Sequence, residues 1–113
     1  MIGRRCMFSR KIEIRTSDAH SIVDRETGRR LNGAGSITIG DHVWVGLGVV
    51  INKGASIPAD SVVGAMSFVN RSFDEQGVVL AGTPARVVRR GITWNRGKKK
   101  RFTREQLEYW KES

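Results

Sequence analysis

The chain has 113 residues, of which 39% are hydrophobic and 27% charged, and its formal net charge is +9. These values indicate one modest domain with a small core, and they exclude a disordered chain. No apolar run approaches the ~20 residues that a membrane-spanning helix requires. The single cysteine forms no internal disulfide, so we expect a protein of the reducing cytoplasm.

The net charge is concentrated near the C-terminus. Nine Lys or Arg side chains and no Asp or Glu lie between Arg86 and Arg104, whereas the other 11 basic residues are balanced by 11 acidic ones. Such a segment attracts polyanions, and a solvated tail that aids solubility is the alternative interpretation. Only Trp94 and Phe102 offer rings for base stacking there, so we do not expect nucleic acid as a partner.

Large apolar residues recur at every sixth position in two tracts. The first tract holds Ile2, Phe8 and Ile14, and its next position is His20. The second tract holds six aliphatic residues, which are Ile39, Val45, Ile51, Ile57, Val63 and Val69.

Two further columns share this period of six. The residue after each aliphatic suits tight turns or unusual backbone angles, as at Gly40, Gly46, Asn52, Pro58, Gly64 and Asn70. The residue four places after each aliphatic is small or β-branched, as at Val43, Val49, Ala55, Ser61 and Ser67. A hexad of this composition predicts one face of a three-sided parallel β-helix of three to four coils. The alternative is an antiparallel hairpin, because residues 37–51 also alternate with period two.

The remaining segments depart from the period. Polar and glycine-rich residues 21–36 predict an extended loop between the two tracts. Residues 81–86 (AGTPAR) predict a turn, followed by a short strand over 87–92. Thr103 and Gln106 fit a capping box, which predicts a helix over about 104–111 that docks Leu107 and Trp110.

Three motifs in this order carry a family resemblance. They are TSDAHSI at 16–22, IGDHVWVG at 39–46 and AGTPAR at 81–86. Together with the hexads they resemble the hexapeptide-repeat O-acetyltransferases, a left-handed β-helix family that includes galactoside, maltose, xenobiotic and polysaccharide acetyltransferases. The resemblance spans about residues 2–94. It implies direct acetyl transfer from acetyl-CoA to a hydroxyl of a sugar or polysaccharide, without an acetyl-enzyme and without a metal.

The resemblance also assigns the catalytic residues. His20 matches the family's catalytic histidine, and an ordinary imidazole titrates near pH ~6.5, which suits a general base. The alternative for His20 is a residue that merely caps a coil. Asp18 is placed to orient or charge-stabilise His20, with a plain turn residue as the alternative. Trp44 matches a tryptophan that borders the active-site tunnel, and exposed packing between subunits is a compatible alternative.

Residues for coenzyme A follow from the same motifs. The pantetheine arm requires a groove without side chains, and the match places Gly46, Ala65 and Asn70 along it. Arginines suit the phosphates through paired, charge-assisted hydrogen bonds. The match places three of them at the phosphates and the adenosine, namely Arg71, Arg86 and Arg89.

Other chemical residues receive simpler interpretations. His42 is expected on the surface or in a subunit contact, and Cys6 is expected to fill the core rather than act as a nucleophile. A metal-dependent hydratase needs three histidines around zinc, whereas this chain has two.

The resemblance implies a homotrimer with the active site between adjacent chains. It assigns residues 1–92 to the acyltransferase domain, with the extended loop at 21–36, and 93–113 to a basic tail with a short helix. Typical members begin with further coils or a helical segment, so we expect the acceptor-binding residues of that part to be missing here. The alternative function is therefore a non-catalytic or remnant trimeric scaffold that binds CoA weakly.

Overall fold

The computed structural model describes residues 1–112; Ser113, the last residue of the predicted tail, lies outside the described residues. The protein is mainly β with one short helix. Its elements are β1 (Met7–Phe8), β2 (Glu13–Arg15), β3 (Thr38–Ile39), β4 (Trp44–Val45), β5 (Val50–Asn52), β6 (Ser56–Ile57), β7 (Val62–Val63), β8 (Phe68–Val69), β9 (Val79–Gly82), β10 (Ala85–Arg89), α1 (Arg104–Glu108) and a 3₁₀ turn (Tyr109–Lys111).

The strands form three sheets that the chain visits in turn. The strand orders are β3–β6, β1–β4–β7–β9–β10 and β2–β5–β8. Each of β3, β4 and β5 pairs in parallel with the strand 18 residues later, so that Ile39 lies beside Ile57 and Val45 beside Val63. Three hexads therefore make one circuit. The hairpin alternative is wrong for this region, because an antiparallel pairing does not produce this register.

The core consists of the predicted hexad columns. All six aliphatic residues of the second tract are at most 1% exposed, and the small residues four places later are buried beside them. The first tract has the same register, since Ile2, Phe8 and Ile14 pair with the next circuit. These three side chains are exposed because they lie at the end of the stack and are covered on one side only.

The unusual backbone angles occupy a different column from the predicted one. A left-handed φ occurs three residues after the first five aliphatics of the second tract, with values between 55° and 80° at His42, Gly48, Gly54, Asp60 and Met66. The glycines directly after the aliphatics have a steric role instead. A Cβ on Gly40 would lie 2.6 Å from the Ala59 nitrogen of the next circuit, so close stacking of the circuits requires glycine there.

An antiparallel hairpin follows the parallel strands. β9 lies parallel to β7 and pairs with β10 across the turn at Gly82–Ala85. The predicted strand over 87–92 exists, but its bounds were wrong: the strand begins at Ala85 and ends at Arg89. The six-residue period does not predict β9, because the residues of this strand depart from that period.

The C-terminal helix is capped as predicted. The Thr103 side chain accepts a hydrogen bond from the Gln106 nitrogen, and the Gln106 side chain accepts one from the Thr103 nitrogen. Only residues 104–108 are α-helical, and a 3₁₀ turn continues to Lys111. Among residues 1–112, no helix has the length and apolar character needed to cross a bilayer.

The tail docks on the body through a stack of aromatic rings. The His42 ring lies 4.0 Å from the Trp94 ring and 4.8 Å from the Trp110 ring, nearly parallel to both. The Trp94 indole N–H donates to the His42 carbonyl at 2.9 Å. The prediction that His42 lies on the surface is wrong: its side chain is 0% exposed. It points away from the hexad core, but the tail covers it.

This stack predicts a pH-dependent stability. Burial lowers the pKa of His42, although hydrogen bonding to Asp60, whose carboxylate lies 2.9 Å from Nδ1, opposes this shift. Protonation therefore favours the unfolded chain, and the stability that neutral His42 contributes is lost as the pH falls below the unfolded value of ~6.5. We expect a lower urea midpoint at about pH 5.5 than at about pH 7.5, a range in which histidine is the side chain that titrates.

The matched controls are the two histidine variants. His42→Asn keeps a residue that tolerates left-handed φ, and it should remove most of this pH difference. His20→Asn should retain the difference, because His20 is exposed. An unchanged pH dependence in His42→Asn would contradict this assignment.

Candidate active site

His20 lies in the loop that joins β2 to β3. The chain turns at Ala19, which has a φ of 68°, and the His20 nitrogen donates to the Asp18 carbonyl at 2.8 Å. The His20 side chain is exposed, and no hydrogen bond to its ring is present within residues 1–112. The ring is therefore accessible to a molecule from solvent.

Asn32 organises this loop from beneath. It is 8% exposed, and its Nδ2 donates to the His20 carbonyl and to Asp18 Oδ2, both at 2.8 Å. Its Oδ1 accepts from the Ile22 nitrogen at 2.6 Å. One side chain thus joins the His20 carbonyl, the Ile22 nitrogen and the Asp18 carboxylate. Sequence reasoning missed Asn32, because an Asn before a glycine in a polar segment is also typical of an ordinary turn.

Asp18 contacts the loop rather than the imidazole. Its carboxylate accepts from Lys53 Nζ at 2.5 Å and from Asn32, and these hydrogen bonds lower the pKa of Asp18, with Lys53 contributing most. The connection from Asp18 to His20 runs through Asn32 and the backbone. Lys53 belongs to the next circuit, 35 residues away, which is why no local pattern indicated it.

The predicted loop 21–36 is a small hairpin with an apolar arm. Ile22 and Leu31 are joined by a backbone hydrogen bond of 2.7 Å, and Val23 bridges Arg30. Asp24 stabilises the tip, where its carboxylate accepts from two backbone N–H groups that lower its pKa. The apolar side chains of this arm are half or more exposed. An exposed apolar arm suits contact with another molecule.

Three of the six residues predicted to bind CoA line one cavity. Asn70, Arg71 and Arg86 line one cavity of about 300 Å³, together with Pro84 and Ala85. The Arg71 guanidinium lies 4.7 Å from the centre of the Phe73 ring, whereas the exposed Arg86 has no salt bridge among residues 1–112.

The other predicted cofactor residues do not line that cavity. Gly46 and Ala65 are adjacent on successive circuits, and a Cβ on Gly46 would lie 2.8 Å from the Ala65 nitrogen. Glycine at position 46 is therefore required for the close stacking of the circuits, whether or not it also contacts coenzyme A. Arg89 is exposed at the end of β10. Trp44 is 37% exposed, and its ring lies 6.0 Å from that of Trp94.

One corner of the three-sided stack joins the His20 loop to the edge of the cavity. The Gly54 nitrogen donates to the Ser36 carbonyl of the loop at 3.0 Å. The Ser72 hydroxyl donates to the Gly54 carbonyl, and the Ser56 nitrogen donates to the Arg71 carbonyl. Arg71 therefore lies two circuits from the loop on the same corner, with Gly54 on the circuit between them. This corner thus connects the loop that follows β2 with the edge of the cavity, although no described hydrogen bond joins His20 to Arg71 within residues 1–112.

Cys6 and metal ligation contribute nothing to this corner. Cys6 is half-buried against the core, its Sγ lies 3.3 Å from the Gly40 carbonyl, and burial raises its pKa. A raised pKa disfavours the nucleophilic thiolate, in agreement with the predicted packing role. Within residues 1–112, no three His, Cys, Asp or Glu side chains come together as metal ligands.

A chain that visits three parallel sheets in hexads, with an exposed histidine in a loop between circuits, has the features of a hexapeptide-repeat protein. No protein-family model matches the chain. The polysialic acid O-acetyltransferase of Neisseria meningitidis is 43% identical over 95 residues, which cover 84% of this chain and 44% of that protein. The chain thus spans less than half the length of this curated relative.

Solved structures agree with this likeness. The polysialic acid O-acetyltransferase OatWY superposes with a TM-score of 0.88 over 96% of this chain and 53% of its own, at 38% identity. A hexapeptide-repeat acetyltransferase from Vibrio cholerae in complex with acetyl coenzyme A has a TM-score of 0.57 over 70% of this chain and 42% of its own, at 35% identity. The chain fits the hexapeptide-repeat O-acetyltransferase family.

Proposed function

We propose that the protein moves an acetyl group from acetyl-CoA to a hydroxyl of a sugar or polysaccharide, with His20 as the general base. The observation that carries this proposal is the shared corner, where the loop that contains His20 and the arginine-lined edge of a cavity are joined through one intervening circuit. The likeness to polysialic acid O-acetyltransferases supports both the reaction and a carboxylated polysaccharide as the acceptor. It also supports a left-handed winding of the circuits.

His20 acts on the acceptor in this mechanism. A neutral imidazole nitrogen accepts the proton of the acceptor hydroxyl as its oxygen forms a bond to the acyl carbon. Acetyl-CoA supplies the thioester, whose carbon–sulfur bond breaks directly, so no acetyl-enzyme forms. The protonated imidazole then returns its proton to the departing sulfur. Asn32 keeps the loop in position throughout, and Asp18 acts on His20 through Asn32.

The cavity residues fit the chemistry of coenzyme A. Arg71 and Arg86 present guanidinium groups that suit phosphate oxygens, and Asn70 offers an amide beside them. We place Arg89 at the outer phosphates, Gly46 and Ala65 along the pantetheine arm, and Trp44 as a wall of the tunnel. The partial exposure of Trp44 supports that position.

Arg86→Ala should weaken CoA binding by about 10- to 100-fold, because a hydrogen bond to a charged group contributes about 1.5–3 kcal/mol. Calorimetric titration with CoA measures this change. The matched control is Arg90→Ala, which removes the same charge from a guanidinium already paired with Glu75 at 2.9 Å. Equal affinities of the two variants would contradict a phosphate role for Arg86.

We further propose a homotrimer in which the active site lies between adjacent chains. Exposed apolar residues support this assembly, among them Leu47 and Met66, which are joined through their backbones at one corner. The apolar arm of loop 21–36 also offers a surface for a neighbouring subunit. We place the protein in the cytoplasm, where the free thiol of Cys6 stays reduced.

The proposal is tested by thiol release from acetyl-CoA in the presence of a polysialic acid or galactoside acceptor. Acceptor-dependent release by the wild-type protein is expected. CoA binding without any acetyl transfer to either acceptor would instead support the non-catalytic scaffold.

A further inference from the structure

The basic run of the tail has no role in the proposed active site. Its six cationic side chains are exposed, and no salt bridge joins any of them to an acid within residues 1–112. They are Arg96, Lys98, Lys99, Lys100, Arg101 and Arg104. Unpaired cations at this density attract a polyanion, and the attraction weakens as salt is added.

A groove of about 490 Å³ opens within this cluster, between residues 95–99 and the C-terminal helix. Lys99, Phe102 and Tyr109 contribute to its walls. We call it the basic groove. None of the residues predicted to be catalytic or to bind CoA lines it, so it is separate from the candidate active site.

Hydrogen bonds hold the basic groove in shape. The Asn95 side chain donates to the Gln106 carbonyl at 2.9 Å and accepts from the Gly97 nitrogen at 2.8 Å. The loop is thereby fixed to the helix, and the helix is fixed to the body through Trp110. A pre-formed groove binds with a smaller loss of conformational entropy than a free basic tail.

The lining of the groove indicates the kind of ligand. Lys99 Nζ lies 5.6 Å from the centre of the Phe102 ring, so a cation and an aromatic surface adjoin. The Glu105 carboxylate lines the same groove and forms no described hydrogen bond or salt bridge within residues 1–112.

A free carboxylate accepts hydrogen bonds from sugar hydroxyls, and an anionic polysaccharide offers more hydroxyl donors per negative charge than a nucleic acid does. Trp94, one of the two rings that nucleic-acid stacking would have used, is only 6% exposed. The chemistry of the groove therefore favours an anionic sugar polymer over a nucleic acid.

We propose that the basic groove binds a segment of a carboxylate-bearing polysaccharide, outside the catalytic corner. This inference rests on the proposed function in one respect, because the polymer held there is also the acceptor. Binding at a second place on the same molecule raises the local concentration of acceptor hydroxyls at the active site. A long acceptor then has a lower KM than a short one, while kcat stays similar.

The test is a binding titration of fluorescently labelled polysialic acid, which requires no acetyl transfer. The variant Lys98→Gln/Lys99→Gln/Arg101→Gln should lose about tenfold in affinity, because three exposed ion pairs together contribute about that factor. The matched control is Arg4→Gln/Arg10→Gln/Lys11→Gln, which removes the same charge from exposed residues of the first circuit. It should lose much less.

Two further arms complete the experiment. Neutral dextran should bind at least tenfold more weakly than polysialic acid, because it gains nothing from the cations. Phe102→Leu should weaken polysialic acid binding without a change of charge. Equal affinities of the tail variant and its control would overturn the proposal, and so would tighter binding of single-stranded poly(dT) at the same salt concentration.

The outcomes also separate this inference from the proposed function. Groove-dependent binding without acetyl transfer would contradict the proposed function alone. Acetyl transfer in which the tail variant keeps the wild-type KM for the polymer would contradict this inference alone.

Discussion

His20→Ala should lower kcat for acetyl transfer by about 10²- to 10⁴-fold, the contribution typical of a positioned general base. An acceptor hydroxyl is almost wholly protonated at neutral pH, so its attack depends on a group that removes the proton. The affinity for CoA should stay close to that of the wild type, because His20 is not among the residues that line the arginine cavity. Steady-state kinetics and CoA titration of the same preparations measure the two effects.

Ser21→Ala is the matched control, since Ser21 is the exposed neighbour of His20 and its side chain makes no described hydrogen bond within residues 1–112. It should retain most of the wild-type kcat. Equal rates in His20→Ala and the wild type would remove His20 from the mechanism.

Trp94→Ala should destabilise the protein by about 3–5 kcal/mol, the range observed when a buried tryptophan is truncated to alanine. Trp94 is 6% exposed, it stacks on His42, and its indole donates a buried hydrogen bond. Truncation removes the ring contacts and leaves the His42 carbonyl without its donor. Urea unfolding at about pH 7.5, where His42 is neutral, measures the change.

Trp44→Ala serves as the control for this prediction. It truncates the same residue type at a position that is 37% exposed, so the loss of stability should be much smaller. If the two variants shifted the urea midpoint equally, the stack on His42 would not anchor the tail. The prediction concerns stability alone, because Trp44 is also proposed to line the active-site tunnel.

The hexad pattern predicted the core closely. Ile51 and Val69 were assigned to one column from their spacing, and they lie side by side in β5 and β8. A period of six is a local property, because each face of the stack repeats the same steric requirement. The capping box at Thr103 could be predicted for the same reason, since its partners are three residues apart.

The site was predictable only in part. The motifs indicated His20 and the arginines, and three of the six CoA residues share one cavity. Asn32 and Lys53 were missed, because their partners are decided by the way the loop folds onto the next circuit. The resemblance placed Asp18 near His20, but its carboxylate contacts Lys53 and Asn32.

The amino-acid sequence by itself determined the six-residue period, the buried columns, the position of the loop and the start of the helix. Each of these depends on residues that are close along the chain. Only the tertiary structure decided which outward-facing groups are covered: His42 is buried because Trp94, 52 residues later, returns to stack on it. It likewise decided that Arg71 and Arg86 face one cavity. Burial and pairing of distant groups depend on how the circuits stack and on where the tail docks. The spacing of residues along the chain does not contain this information.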